Sequence, residues 1–453
     1  MGAALARPGP AGGEPGPERP KAAPRGRFEA TGRFRLAFAD RWWLVGPDGR
    51  GQLSLGVNHI DPAALTQAHN RDHWASRFGL SDQEAGRPQA FQAGFERKVK
   101  ADLRAIGFNA LGCHSDHRLF SRSWLPYVKT VRFLDVCHYM EPAREAFMDV
   151  FSPAFERHCA DRAEAEIAPV LGDRFLLGYC FTDCPVLTDL DAAARIANIY
   201  GAPRRASTTF PGALRNLAAP APGKLAYVEL MRRRHRSIDH FNAVYSTCFE
   251  SFGQLAARPA WRGGPDPFND AETADNLAFL TLAMDRAYGV EVAAVRRRDP
   301  DRLIFGDKLN GNTDTPAEIV RLADRHFDAV FYQLYGLEAD HRRLIESWSG
   351  LVSKPFLLGD SAICVPSRRL PDPYGPHCGS PAEAAEELRA VADHLFARPD
   401  FLGWHWCGWM DQAGGEPSGK QHMGFQDAFG QPHPIAGELA KLSARVRRLA
   451  PAA

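Results

Sequence analysis

Residues 175–185 read FLLGYCFTDCP, and residues 354–366 read KPFLLGDSAICVP. Each is a short apolar run with a Gly inside it that stops at a carboxylate and a turn, Asp183 in the first and Asp360 in the second. Barrel strands deliver side chains to an active-site rim in this way. Two carboxylates facing each other across such a rim have the chemistry to cleave a glycosidic bond.

Working outward, similar short runs alternate with longer helical patterns. SLGVNHI (54–60) reads as a first strand, FNALGCHSD (108–116) as a second and VRFLDVCHYM (131–140) as a third. The run ending at Asp183 is the fourth. RLIFGDKLNGN (302–312), FDAVFYQLYG (327–336), KPFLLGDSA and FLGWHWCGWMD (401–411) are the fifth to eighth. Eight strands with intervening helices predict an α/β fold, a (β/α)8 TIM barrel. A small β-element with a Pro-Asp-Gly turn, residues 33–50, precedes it. The interval 186–301 carries apolar and aromatic residues at helical spacing and is expected to be a helical insertion on the barrel rim after strand four. Residues 27–453 are thus expected to be one barrel domain. The first 26 residues, rich in Pro, Gly, Ala and Arg, are expected to be a disordered tail without a secretory h-region.

Composition narrows the function. Among 453 residues, 55 basic side chains face 54 acidic ones, for a net charge of +1. That balance argues against nucleic acid or an anionic membrane as partner, and no apolar run reaches the length of a membrane span. The nine cysteines include no CxxC pair, so neither a disulfide framework nor a structural zinc site is expected. Free thiols suit a reducing, cytoplasmic address. The helices of the insertion leave room for a homo-oligomer.

Several segments, in their order along the chain, resemble the β-agarase-like enzymes of clan A of the retaining glycoside hydrolases. They are RWWLVGPDGR with LSLGVNHI, LRAIGFNALGCHSD, LLGYCFTD, RRRDPDRLIFGDKLNGN, and GWHWCGWMDQ with GFQDAFGQPH. The resemblance covers the chain from about residue 40 onward. It implies a glycoside hydrolase acting without a cofactor on a β-linked oligosaccharide of galactoside type. The chain departs from the family pattern at both catalytic positions. The family's acid/base Glu follows an Asn at the end of strand four. Here Phe181-Thr182-Asp183-Cys184-Pro185 puts Asp183 one place before that pair and Pro185 at the acid/base position. On strand seven, Asp360 stands where a Glu nucleophile is usual.

On this reading Asp183 is the acid/base and Asp360 the nucleophile, or the base of an inverting enzyme. Two Asp, each a methylene shorter than Glu, lean toward a wider gap and inversion. Asn58 and His59 (strand one), His114 and Asp116 (strand two), Lys308 and Asn310 (strand five), and Gln333 and Tyr335 (strand six) are expected to bind sugar hydroxyls. Trp404 and Trp406 alternate on strand eight, and the resemblance makes Trp406 a sugar platform. Asp411, Gln421 and His422 are expected at the mouth, with the loop GGEPSGKQHMGF. Two other readings stay open. One is a catalytically silent sugar-binding barrel. The other is a metal-dependent lyase or isomerase built on His59, Asp61, His114, Asp116 and His117. The reading with no metal is preferred, since the chain has neither a His-x-His pair nor HExxH.

Overall fold

The computed structural model describes residues 28–122, 124–134, 147–187, 210–264, 266, 268–313, 315–413 and 421–450. The expected tail, the start of the insertion and most of the expected mouth loop lie outside them.

Three short strands, β1 (Arg35–Phe38), β2 (Trp42–Val45) and β3 (Gly51–Gln52), form an antiparallel sheet around the Pro-Asp-Gly turn. Eight parallel strands then close into a barrel: β4 (Ser54–Val57), β5 (Ala110–Leu111), β6 (Tyr127–Thr130), β7 (Leu176–Asp183), β8 (Leu303–Asn310), β9 (Val330–Gln333), β10 (Phe356–Ser361) and β11 (Phe401–Trp406). The hairpin β12 (Gln412–Ala413) and β13 (Gln421–His422) follows the last barrel strand. Among the described residues, no helix is long and apolar enough to cross a membrane.

Seven of the eight strands fall where the sequence places them. The third does not. It ends at Thr130, just before the apolar run VRFLDVCHYM, of which residues 135–140 lie outside the described part. The buried pair Tyr127 and Val128, seated behind Pro126, forms the strand instead.

The barrel interior is a packed column. Val128, Leu177, Leu303, Phe305, Ala329, Phe331, Leu357 and Leu402 meet inside it, and Phe34 and Leu44 of the antiparallel sheet close its lower end. The interior is therefore filled below the rim, and chemistry is confined to the C-terminal face.

Helices seal the outside. Ser152 caps the helix Pro153–Ile167, its Oγ accepting from Phe155 N at 3.2 Å with Pro153 at the first helical position. Helix Gln92–Ile106 buries Phe95, Val99, Leu103 and Ile106 along one face, each worth roughly 1.5–3 kcal/mol.

After β7 the chain leaves for the insertion. The described helices there are Phe210–Arg215, Pro222–His235, Ile238–Tyr245, Phe252–Ala257 and Asp270–Arg298. The last has 29 residues, a length of about 43 Å at 1.5 Å per residue. Strand β8 has eight residues, about 26 Å. The helix runs down to the start of β8, so its N-terminal half stands beyond the strand ends. Phe241, Tyr245 and Trp261 pack against one another in the insertion's own core.

Candidate active site

The site is organised by one lysine that a glycine turns inward. On β8, Leu303 and Phe305 point into the barrel. Regular alternation would next send Asp307 inward and Lys308 outward. Gly306 breaks the phase: its φ is +67°, and a Cβ there would lie 2.2 Å from the Phe327 ring. A register shift against β7 accompanies it, as at a β-bulge. Asp307 consequently faces the outer helices, accepting from Tyr288 Oη at 3.0 Å and from Thr182 N at 2.9 Å. Lys308 enters the barrel mouth, with its side chain 1% exposed.

Its ammonium donates to Asp183 Oδ1 at 2.8 Å and to Asp360 Oδ2 at 2.9 Å, and lies 3.4 Å from His114 Nε2. Those two carboxylate oxygens can be no further apart than the sum of the first two distances. That is short of the roughly 6.5 Å at which inverting pairs begin. One buried cation draws these two oxygens together.

Burial alone would push the Asp360 carboxyl up. The Lys308 ammonium overrides this and holds it well below the usual carboxylate range. Burial would likewise lower the lysine, but Asp183 and Asp360 raise it well above the ordinary value. Asn58, wholly buried at the end of β4, donates from Nδ2 to Asp360 Oδ1 at 2.8 Å and to Gly359 O at 2.7 Å. Asp360 is thus a fixed, ionised group.

Three imidazoles stand over it. His59 lies 4.7 Å, ring to ring, from His114 and 4.5 Å from His422. His114 Nε2 is 3.2 Å from Asp183 Oδ2, and His59 Nε2 is 3.9 Å from Asp360 Oδ2. His59 and His114 both adopt left-handed backbone, at φ +54° and +60°. That conformation is uncommon outside Gly and collects at functional sites. Burial first, then His422 and His114, hold His59 neutral.

The other expected site residues divide. Gln333 ends β9 in register with Asp360, and Tyr335 packs edge-on against Tyr374 at 4.4 Å. Both are buried near the rim. Asn310 is buried at the end of β8, where its Oδ1 accepts from Asn312 N and its carbonyl from the Thr313 and Thr315 hydroxyls. It shapes the loop. Asp116 is held by Arg118 at 2.8 Å, Asp61 caps the turn at Ala63, and the His117 side chain is 83% exposed. Those three do not join His59 and His114. Asp411 accepts from Gly424 N and pairs with His433 at 2.9 Å, and Gln421 Oε1 accepts from Asp372 N. Both fasten the closing loop instead of lining the cleft.

The tryptophans are a correction. Trp404 and Trp406 are 2% and 1% exposed and belong to the layer between barrel and helices. Neither offers a face to a sugar. Gly403, at φ +153° and pressed against Ser54, breaks the alternation on β11. His405 points inward in their place, with Nε2 at 2.8 Å from Ser54 Oγ and burial lowering its pKa to about 4. Cys407 follows on the same face, its Sγ 3.6 Å from His422 Nδ1. Neither His405 nor Cys407 was expected at the site.

Among the described residues, two sets of three have ligating atoms close enough for a metal: His59, His114 and Asp360, and His59, Cys407 and His422.

No family model matches the chain, and no curated protein matches it in sequence. Solved structures do. An exo-β-agarase superposes with a TM-score of 0.74 at 16% identity over 93% of this chain, and the agarase AgWH50C with 0.74 at 17% over 94%. The fold is that of the agarase barrel. A β-galactosidase from the Antarctic haloarchaeon Halorubrum lacusprofundi follows with a TM-score of 0.51 at 14% identity over 78% of this chain and 56% of its own. The chain spans 66% of each of the two agarases.

Proposed function

We propose that the protein is a glycoside hydrolase acting on a β-linked oligosaccharide of galactoside type. One observation carries this reading: Asp183 and Asp360, from the ends of the fourth and seventh barrel strands, meet at a single ammonium. Support comes from the fold shared with the exo-β-agarase. The facing carboxylate oxygens, both held by Lys308, are close enough to support a retaining geometry. Asp360, fixed and ionised, is the charge that meets an oxocarbenium-like centre. Asp183 accepts from the Lys308 ammonium at 2.8 Å and lies 3.2 Å from His114 Nε2. It acts with His114, whose side chain is 32% exposed, as the pair that protonates the leaving oxygen. His59, Asn58, Gln333 and Tyr335 surround the bound sugar, and the insertion walls one side of the cleft. Eight unpaired thiols among the described residues support a reducing compartment, where short oligosaccharides are the accessible substrates.

One observation favours a second reading. Lys308 fills the gap between the carboxylates, as it would in a sugar-binding barrel without turnover. Product analysis on a panel of β-galactoside oligosaccharides separates the two. Products that vanish in Asp360→Asn support the hydrolase. A thermal shift with a sugar, without products from the wild type, supports the binder.

A further inference from the structure

We infer that His59, Cys407 and His422 form a binding site for one zinc-class divalent cation at the barrel mouth. The inference goes beyond the hydrolase reading and does not depend on it. The ligating atoms of the three residues lie within 4.8 Å of one another with no ion present. One pair matches a metal polyhedron: Zn–N of about 2.0–2.1 Å and Zn–S of about 2.3 Å at a tetrahedral angle set an N···S edge near 3.5 Å. Cys407 Sγ and His422 Nδ1 are 3.6 Å apart.

The second set, His59, His114 and Asp360, is the weaker candidate. The Lys308 ammonium lies 3.4 Å from His114 Nε2 and 2.9 Å from Asp360 Oδ2. A cation among those atoms would sit against a buried positive charge. Exchanging these two residues for Cys407 and His422 avoids that contact and supplies a thiolate. Two imidazoles and a thiolate select zinc or cobalt over magnesium or calcium.

Backbone geometry is a separate observation. His59 keeps a left-handed conformation, φ +54°, which is uncommon outside Gly. This conformation stacks its ring 4.5 Å from that of His422. Three protein ligands leave a fourth tetrahedral position for water or a substrate oxygen, the pattern of catalytic and not of structural zinc sites. With Asp360 Oδ2 only 3.9 Å from His59 Nε2, an ion there would share the cleft with the reacting groups. A sugar hydroxyl is the ligand class suited to that open position.

The test is spectroscopic and needs no substrate. The full chain, stripped by chelator and returned to metal-free buffer, is titrated with Co2+. We expect one equivalent to bind with tetrahedral visible bands and a thiolate-to-cobalt charge-transfer band, and Zn2+ to displace it. Cys407→Ala should abolish the charge-transfer band. His422→Ala should weaken binding by more than about 100-fold, beyond the 10–100-fold typical of losing an outer-shell partner. Cys248→Ser, at an exposed thiol, should change nothing. If Cys407→Ala does not fold, His422→Ala alone decides. A folded wild type that binds no stoichiometric Co2+ overturns the inference. So does a charge-transfer band that survives Cys407→Ala, or binding that His422→Ala leaves intact. Failed hydrolysis with intact Co2+ binding would count against the hydrolase alone.

Discussion

Arg215 and Lys308 are both buried cations, and they are buried differently. Arg215, in the insertion, is 1% exposed and donates to Glu272 at 2.8 Å, to Asn276 at 2.9 Å and to the Gly263 carbonyl at 3.0 Å, while lying over Trp261. Its carboxylate, Glu272, is also held by Arg262. One anion there faces two cations, and Glu272 is fully buried. Lys308 has the inverse ratio. One ammonium faces two carboxylates, and the surplus negative charge opens to solvent through Asp183 and His114, 20% and 32% exposed. Buried ion pairs are weak evidence of function. What marks a site is charge left uncompensated beside an opening, held by residues from different strands. Lys308 meets that condition and Arg215 does not.

The largest expected effect tests the rim. Asp360→Asn is nearly isosteric but removes the charge that, on the proposed hydrolase reading, faces the transition state. Turnover should fall on the order of 10³-fold or more, with the melting temperature nearly kept. Near-normal turnover would dissolve the contrast with Arg215. Next comes the insertion. Arg215→Met leaves Glu272 buried with one partner fewer, and should cost about 3 kcal/mol of stability in urea unfolding. The folded fraction should keep its kcat. Loss of activity without loss of stability would move the insertion into the site.

Asp183→Asn should be milder and selective. Substrates with poor leaving groups should lose about 100-fold, while activated aryl glycosides largely escape, because only the former need a strong acid. Equal losses on both would remove Asp183 from proton transfer.

The smallest effect lies at the seam between the two regions. Burial raises Glu291, with Asp307 adding to it, and burial also raises Asp307, to about 6. Both therefore hold protons in the fold that the unfolded chain releases near pH 4. Stability should decline as pH rises from about 4 to 6, and the Asp307 contribution should level off above its folded value. Glu291→Gln should flatten that decline and gain on the order of 1 kcal/mol at pH 7. A steeper decline in the variant would reverse the assigned protonation.

Sequence carried the barrel well, because period-2 apolar runs ending in Asp183, Asn310 or Asp360 are local features. It also carried the two aspartates to one rim. It missed what depends on phase. Nothing in GWHWCGW announces that Gly403 turns Trp404 and Trp406 outward and His405 and Cys407 inward. Asp116 and Asp411 looked like rim ligands by position, but Arg118, two residues along, and His433, brought in by the fold, engage them. The third strand was misplaced because VRFLDV is more apolar than the short PYVKT that actually pairs.

Gly306 gives the barrel mouth an unusual fragility. A right-handed residue there would restore simple alternation on β8 and exchange two neighbours of opposite charge. Asp307 would then join Asp183 and Asp360 as a third anion at the rim, while Lys308 would be thrust among Tyr288 and Glu291 on the helix side. The polarity of the whole opening, and with it the kind of guest it can admit, hangs on the handedness of a single torsion angle.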